Sequence, residues 1–308
     1  MPGQGEEMPA DKKRNVLAGV TVREAMRVQI VSLPAASPIR RAIRRLIKYK
    51  VNGLLVTDRN ERPIGVVSKT DIMAGYYAGL PIDFPLEHIM MSPPVFCCAI
   101  DSLESALDTM RSNRIYRLYV TDDNRDRVVG VLAYPDIVGL LYRYCRACAQ
   151  SVLKHQENQG LSGDPHRIRV RDVMTWSVKW FSELETLLRI MEGLSTYRFG
   201  AVLIKDSDGV PRGVISKTDL MLAYMRGIVP DTVAGTILTS RRVISCDEST
   251  FLEVALQRMI LSDLQRLFVY HGHPENIVGV FSLSDAARSR SGSCYGCVSS
   301  RITVEAGT

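Results

Sequence analysis

One short segment occurs four times in this chain in related form, and this internal repetition constrains the fold more than any other feature. The heptapeptide GVVSKTD at residues 65–71 returns as GVISKTD at residues 213–219. Looser versions read GVLAYPD at residues 130–136 and GVFSLSD at residues 279–285. The first and third copies are separated by nearly the same distance as the second and fourth, which indicates that a pair of units was duplicated. Such a chain folds as similar supersecondary units that stack on their neighbours.

Each unit carries the same order of elements: strand, helix, strand, strand and helix. In the first unit Ser37 is placed to be the N-cap of a helix and Pro38 its first residue, and apolar residues follow at helical spacing. Two short strands separated by a polar turn come next, and the heptapeptide leads into a second helix. The sequence therefore predicts an α/β (α+β) chain of four β-α-β-β-α units. Because a unit of roughly 55 residues buries little surface alone, we expect neighbouring sheets to pair.

The spacing of the repeats sets the predicted domain boundaries along the 308 residues. Four units are expected at residues 20–80, 86–144, 168–228 and 232–288. A polar, glycine-containing stretch separates the two pairs of units. The other predicted segments are an N-terminal tail (1–19), a helical extension and linker (145–167) and a C-terminal tail (289–308).

Charge and hydropathy narrow the classes of function. The net charge of +6 is only mildly basic and the arginines are spread over several segments, so the sequence does not favour nucleic-acid binding. It contains no run of about 18 apolar residues of the kind that spans a membrane. The start MPGQGEEMPADKKRN is polar, whereas a signal peptide would be apolar. We therefore expect a cytoplasmic protein with no part in a membrane.

The cysteines and histidines give only weak signals for a metal. Seven cysteines in a chain without an export signal do not favour a disulfide framework. Two CxxC pairs, at residues 145–148 and 294–297, would suffice for one zinc ion, but neither lies in a visible knuckle turn. His271 and His273 share a polar turn with no third ligand in view. We therefore predict no metal site.

At the four glycine segments the chain resembles the cystathionine β-synthase (CBS) domain family, in four tandem copies arranged as two Bateman-type pairs. The shared motif is a glycine, two apolar residues, Ser or Thr, two variable residues and Asp, preceded by the helix and strand. The resemblance implies that two units pack about a pseudo-twofold axis. It also implies clefts that bind adenosine-containing ligands, namely AMP, ADP, ATP or S-adenosylmethionine, as regulatory ligands and not as required cofactors.

The segment from Ser68 to Asp71 has a structural interpretation and a functional one. As a capping box, the serine and the aspartate satisfy backbone N–H groups and contribute on the order of 1 kcal/mol. That interpretation leaves Lys69 as a solvated cation that opposes the helix dipole by a few tenths of a kcal/mol. A bound phosphate would reverse the sign, because the helix start, both hydroxyls (Ser68 and Thr70) and the ammonium group would all attract it. The third unit repeats the set as Ser216, Lys217, Thr218 and Asp219.

The resemblance assigns Asp71 and Asp219 to the two hydroxyls of a ribose. Beside each of them we expect an apolar slot for the base, formed by the first strand of the unit and the start of its second strand. The expected lining is Ile30, Val51 and Asn52 in unit one, and Val178, Phe199 and Gly200 in unit three.

The second and fourth units depart from the pattern. Unit two keeps Asp136 but has alanine in place of the hydroxyl and a proline in the first turn, so a phosphate should be held less firmly there. Unit four keeps Ser282 and Asp285 but has leucine in place of the lysine. Arg117 and Arg266 stand where the gamma subunit of AMP-activated protein kinase, another four-copy member, has arginines near phosphates. The resemblance thus implies that they serve a phosphate held by a neighbouring unit; the alternative is an ordinary arginine at a sheet edge.

These features favour a regulatory protein that senses an adenosine-containing ligand and signals to a partner protein by a change of conformation. The alternatives are a protein-interaction scaffold whose motifs are only helix caps, or a nucleic-acid-binding module. We do not expect an enzyme, because the segments outside the repeats offer no nucleophile with a base and no glycine-rich phosphate loop. The sequence leaves open which ligand binds, how many clefts it fills, and whether the four units close into a disc or two chains form a homodimer.

Overall fold

The structure is a computed structural model that describes residue 17 and residues 19–147, 167–238 and 243–289. Each of the four units contains the predicted order of strand, helix, strand, strand and helix. The described strands are β1 Ser32–Pro34, β2 Gly53–Thr57, β3 Pro63–Ser68, β4 Phe96–Cys98, β5 Arg117–Thr121, β6 Val128–Ala133, β7 Trp180–Ser182, β8 Ala201–Lys205, β9 Pro211–Ser216, β10 Ser245–Asp247, β11 Arg266–Tyr270 and β12 Ile277–Ser282. The described α-helices are α1 Val22–Ala25, α2 Ile39–Lys48, α3 Lys69–Tyr77, α4 Leu103–Ser112, α5 Tyr134–Ala147, α6 Leu187–Thr196, α7 Lys217–Met225, α8 Leu252–Leu261 and α9 Leu283–Ser289.

Each unit forms its own three-stranded sheet, with the strands in sequence order. The first strand runs parallel to the second, and the second runs antiparallel to the third. In unit one Ser32 is opposite Leu55, and Gly53 is opposite Ser68. The middle strand β2 is buried from Gly53 to Val56, as expected for a strand covered on both faces.

The apolar stripe of α2 is buried as the periodicity predicts, with Ile39, Ala42, Ile43 and Leu46 inaccessible to solvent. The expected N-cap is wrong by one residue. The helix begins at Ile39 and its N-cap is Pro38, whose backbone is extended with ψ 150°. The side chain of Ser37 is buried instead of capping the helix, and its carbonyl accepts a hydrogen bond from the Leu86 N–H.

Helices bring the first unit against the third and the second against the fourth. One hydrophobic core joins α2 and α3 to α6 and α7, and a second core joins α4 and α5 to α8 and α9. These cross-pair contacts were not part of the sequence prediction. They place the starts of α3 and α7 close together, although the two segments are far apart in the chain.

The predicted pairing of neighbouring sheets is present between the first two units. Leu55 of unit one packs with Tyr119 and Val131 of unit two. The segment before each sheet also crosses to its neighbour, since Arg27 bridges to Val131 and Met91 bridges to Val66. In the second pair Thr175 bridges to Val280 in the same way. The four units therefore contact one another in a closed ring within one chain.

Candidate functional site

The aspartates of the repeated heptapeptides cap the helices that follow them. In unit one the backbone N–H of Ser68 donates to Asp71 Oδ2 at 2.7 Å, and the serine hydroxyl donates to the same oxygen at 2.8 Å. Ser216 and Asp219 repeat this arrangement at 2.8 and 2.6 Å. Burial raises the pKa of Asp71, and the hydrogen bonds from Ser68 oppose that rise. The capping interpretation is therefore correct, and it uses one carboxylate oxygen of each aspartate.

The two lysines reach across the boundary between units one and three. Lys69 Nζ donates a hydrogen bond to Thr218 Oγ1 at 2.9 Å, and Lys217 Nζ donates to Thr70 Oγ1 at 2.8 Å. Each ammonium group thus contacts the threonine hydroxyl of the opposite unit. Neither sequence interpretation included this exchange, because one placed the lysine in solvent and the other placed it beside its own threonine.

A pair of tyrosines holds the two helices in this register. The rings of Tyr76 on α3 and Tyr224 on α7 stack with centroids 4.8 Å apart. The hydroxyl of Tyr76 donates to the Ile228 carbonyl at 2.6 Å, and the hydroxyl of Tyr224 donates to the Leu80 carbonyl. Burial raises the pKa of Tyr76 to about 12, so this hydroxyl remains a donor at neutral pH. The exchange of lysines is part of an approximately twofold interface.

Both lysines lie in surroundings that disfavour their charge. The pKa of Lys217 is lowered to about 8, chiefly by burial and also by the positive charge of Arg266, while Asp71 opposes the shift. Burial also lowers the pKa of Lys69, with Arg117 and Arg266 adding to the effect. Asp219 and Asp263 oppose it. A group of cations thus gathers where the four units meet.

Arg117 and Arg266 both extend from an even-numbered unit into a recess of the neighbouring odd-numbered unit. Arg117 Nη1 donates a hydrogen bond to the Gly53 carbonyl. A Cβ atom on Gly200 would lie 2.0 Å from Arg266 Nη2, so only glycine leaves room for this guanidinium group in its present position. Burial lowers the pKa of both arginines. The structure therefore brings both guanidinium groups against the neighbouring unit.

The residues expected to line the base slots lie in different surroundings. Ile30 packs against the small cluster between the first two sheets, while Val51 and Phe199 border the core shared by units one and three. Val178 is partly buried, on the segment that leads into β7. The amide of Asn52 donates to Gln265 Oε1 of unit four at 2.7 Å. Gln265 was not among the predicted residues, although it stands just before Arg266 and matches Asn52 in the repeat.

The cleft between the sheets of the first pair is narrow. It encloses about 10 Å³, which is close to the least space that one water molecule needs. Arg27 and Arg117 contribute guanidinium groups to its walls. Its remaining lining residues are Gln29, Val31, Val51, Gly53, Tyr119 and Val131.

Unit two uses its aspartate differently, whereas unit four repeats the arrangement of the odd-numbered units. Asp136 Oδ2 accepts the cap hydrogen bond from the Ala133 N–H at 2.8 Å, and its Oδ1 is 2.7 Å from Arg27 Nε in an ion pair. The pKa of Asp136 is raised by burial, and Arg27 acts against this rise. In unit four the Ser282 N–H donates to Asp285 Oδ2 at 2.9 Å. Arg27 was not among the predicted residues, since the repeat pattern gives no signal for it.

The weak metal signals find no further support in the residues that the structure describes. No group of three or more Cys, His, Asp or Glu side chains within these ranges has the arrangement of a metal site. His271 Nδ1 instead lies 2.8 Å from Glu248 Oε1. The side chains of both CxxC pairs, at 145–148 and 294–297, lie outside the described residues. Within the described ranges, the helices are all too short or too polar to span a lipid bilayer.

A family model described as the CBS domain matches this chain four times, at residues 22–77, 86–143, 170–226 and 234–292. The four matches together cover most of the sequence. Each of them contains one of the four sheets and one copy of the glycine segment.

Several proteins similar to this chain come from archaea. Uncharacterized protein MJ1225 from Methanocaldococcus jannaschii is 21% identical over 211 residues, which are 68% of this chain and 72% of that protein. Its crystal structure superposes with a TM-score of 0.70 at 17% identity, over 87% of this chain and 99% of that chain. An uncharacterized conserved protein from Pyrococcus horikoshii gives a TM-score of 0.56 at 16% identity, over 88% and 100%. Inosine-5'-monophosphate dehydrogenase of M. jannaschii is 28% identical over 123 residues, which are 38% of this chain and 23% of the dehydrogenase.

Proposed function

The chain belongs to the CBS domain family, and on that premise we propose that it is a regulatory sensor of adenosine-containing ligands, namely AMP, ADP, ATP or S-adenosylmethionine. The observation that carries the proposal is the pair of partly buried lysines at the starts of α3 and α7. Removing a cation from water costs free energy, and Lys217 shows this cost as a pKa lowered to about 8. A bound phosphate would offset it.

In unit one the proposed ligand spans three groups of residues. Both cap hydrogen bonds of Asp71 end on Oδ2, so its Oδ1 is not needed for the cap and is available to ribose hydroxyls. The base would lie against Ile30 and the backbone of Val51 and Asn52. The phosphate would lie at the start of α3, where backbone N–H groups and the hydroxyl of Thr70 favour an anion. In unit three the same roles fall to Val178, Phe199, Gly200, Ser216, Thr218 and Asp219.

The even-numbered units are proposed to supply charge and not to hold a full ligand. In unit two Arg27 already pairs with the carboxylate oxygen that a ribose would need. In unit four Ser282 and Asp285 remain, but a leucine replaces the lysine. Arg117 and Arg266 point into the odd-numbered units and would meet their phosphates. We therefore expect two bound ligands per chain.

Ligand entry gives a physical route to a signal. The cleft of the first pair holds about 10 Å³, far less than an adenine base occupies, and Arg117 is bonded to the Gly53 carbonyl beside it. A base could enter only if this guanidinium group moved. Since Arg117 belongs to unit two, its movement would change how units one and two pack. A regulated protein acting in trans would read that change, and a homodimer of this chain stays a prediction.

A thermal unfolding scan with each candidate ligand tests the proposal. A ligand at a hundredfold excess over its dissociation constant stabilises the fold by about 2.7 kcal/mol, which raises the melting temperature measurably. We expect a shift with AMP, ADP or ATP that exceeds the shift with adenosine, which has no phosphate. Replacing both aspartates, Asp71→Ala and Asp219→Ala, should abolish the shift.

The control separates loss of a ligand from loss of a helix cap. Ser102→Ala removes the N-cap of α4, whose hydroxyl accepts from the Ser105 N–H at 3.1 Å. It should lower the melting temperature but leave the ligand shift intact. If millimolar concentrations of all four ligands left the unaltered protein's melting temperature unchanged, the sensor proposal would be wrong. The scaffold interpretation would then be favoured.

A further inference from the structure

The exchange of the two lysines is a reciprocal contact, which distinguishes it from a chance surface contact. Lys69 reaches Thr218 at 2.9 Å while Lys217 reaches Thr70 at 2.8 Å, so both hydrogen bonds cross between units one and three. The stacked tyrosines of α3 and α7 fix the helices on which the lysines stand. The repeated heptapeptide alone would assign each lysine to its own unit.

Charge follows the same crossed pattern as the hydrogen bonds. The cation whose charge acts on the carboxyl of Asp71 is Lys217 of unit three. The carboxylate of Asp219 in turn acts on Lys69 of unit one. Each proposed ribose-binding aspartate therefore faces the lysine of the opposite unit.

We propose that the lysines act in trans, so that Lys217 holds the phosphate bound at the start of α3 and Lys69 holds the phosphate bound at the start of α7. The inference rests on the proposed function and assigns which residues complete each site. Lys217 already contacts the Thr70 hydroxyl, so an anion that accepts a hydrogen bond from this hydroxyl would lie beside the ammonium group. Lys69, although it is the first residue of α3, points towards the other site.

Neighbouring charges reinforce this assignment. Lys217 is close enough to Arg266 for their charges to interact, and Lys69 interacts with both Arg117 and Arg266. Asp71 is the acid that faces Lys217, while Asp219 and Asp263 face Lys69. A phosphate at either helix start would reduce the repulsion among these cations. Each site therefore takes its positive charge from more than one unit of the chain.

Single-site backgrounds make the assignment testable by calorimetric titration with AMP. Asp71→Ala leaves only the unit-three site, and Asp219→Ala leaves only the unit-one site. In the Asp71→Ala background, Lys69→Met should weaken AMP binding by about ten- to a hundredfold, because a charge-assisted hydrogen bond to the phosphate is lost. Lys217→Met in that background should change the affinity by less than about threefold. In the Asp219→Ala background the two lysine variants should exchange their effects.

Adenosine serves as the comparison ligand, since it lacks the phosphate and should bind every variant in a given background equally. The trans assignment would be overturned if AMP binding were weakened by replacing the lysine of the unit whose site remains. It would also be overturned if neither lysine variant affected AMP binding. If none of AMP, ADP, ATP and S-adenosylmethionine bound the unaltered chain, the proposed function would fall and the assignment with it. That result would be visible before any variant was made, so the two failures are distinguishable.

Discussion

Lys217→Met should make the ligand-free protein more stable at pH 7, although it removes a hydrogen bond. The lysine has an ordinary pKa of 10.5 and a pKa of about 8 in the folded chain. Since each pKa unit corresponds to about 1.36 kcal/mol, burying the charged form costs up to about 3 kcal/mol. Solvent reaches part of the side chain, and the lost hydrogen bond to Thr70 is worth about 1 kcal/mol. The net gain in the free energy of unfolding should be about 1 to 2 kcal/mol.

The sign of the pH dependence follows from proton binding. Between pH 8 and 10.5 the unfolded chain still holds the proton on Lys217 while the folded chain has released it. The contribution of Lys217 to the free energy of unfolding of the unaltered protein therefore rises with pH across that window. The extra stability of the Lys217→Met protein over the unaltered chain should be greatest below pH 8 and should decrease as the pH approaches 10.5.

Urea unfolding at pH 7 and at pH 9.5 measures both effects. Lys48→Met is the matched control, because this lysine is exposed on α2, and its replacement should change stability by no more than about 0.5 kcal/mol. A Lys217→Met protein less stable than the unaltered chain at both pH values would refute the reasoning. The lysine would then stabilise the fold by itself, and its position would not require a bound anion.

Three further outcomes are expected. The affinity for AMP should fall as the pH rises past about 8, by up to about tenfold at pH 9. Lys217→Arg should flatten this pH profile, because arginine does not titrate in that range. A flat profile in the unaltered chain would contradict this expectation. Tyr76→Phe should lower the free energy of unfolding by about 1 kcal/mol in urea, since it deletes the hydrogen bond to the Ile228 carbonyl. Arg167→Ala should lower it by about 3 to 5 kcal/mol, because the carboxylate of Glu253, paired with this arginine in the interior, would be left without its partner. Replacing both residues by apolar ones should restore most of that loss, and a mild Arg167→Ala effect would argue against the pair.

The sequence determined the architecture of the individual unit. Helical periodicity, strand alternation and the glycine segment are local signals. Because the same signals occur in four units, the assignment made in one unit is supported by the other three. The family follows from the same residues. The capping role of Asp71 and Asp219 was also readable, because a capping box connects residues only three positions apart. One local detail was wrong: the N-cap of α2 is Pro38 and not Ser37.

Only the tertiary structure decided how the units share their charged side chains. Lys69 and Thr218 are 149 residues apart in the chain, and Lys217 and Thr70 are 147 apart. A local pattern carries no information about contacts at such separations, because they arise from the packing of α3 against α7. The ion pair that closes Asp136 in unit two has the same origin, since Arg27 reaches it from a segment that crosses between neighbouring units. The repeat fixed what each unit is made of, and long-range packing fixed which unit each cation serves.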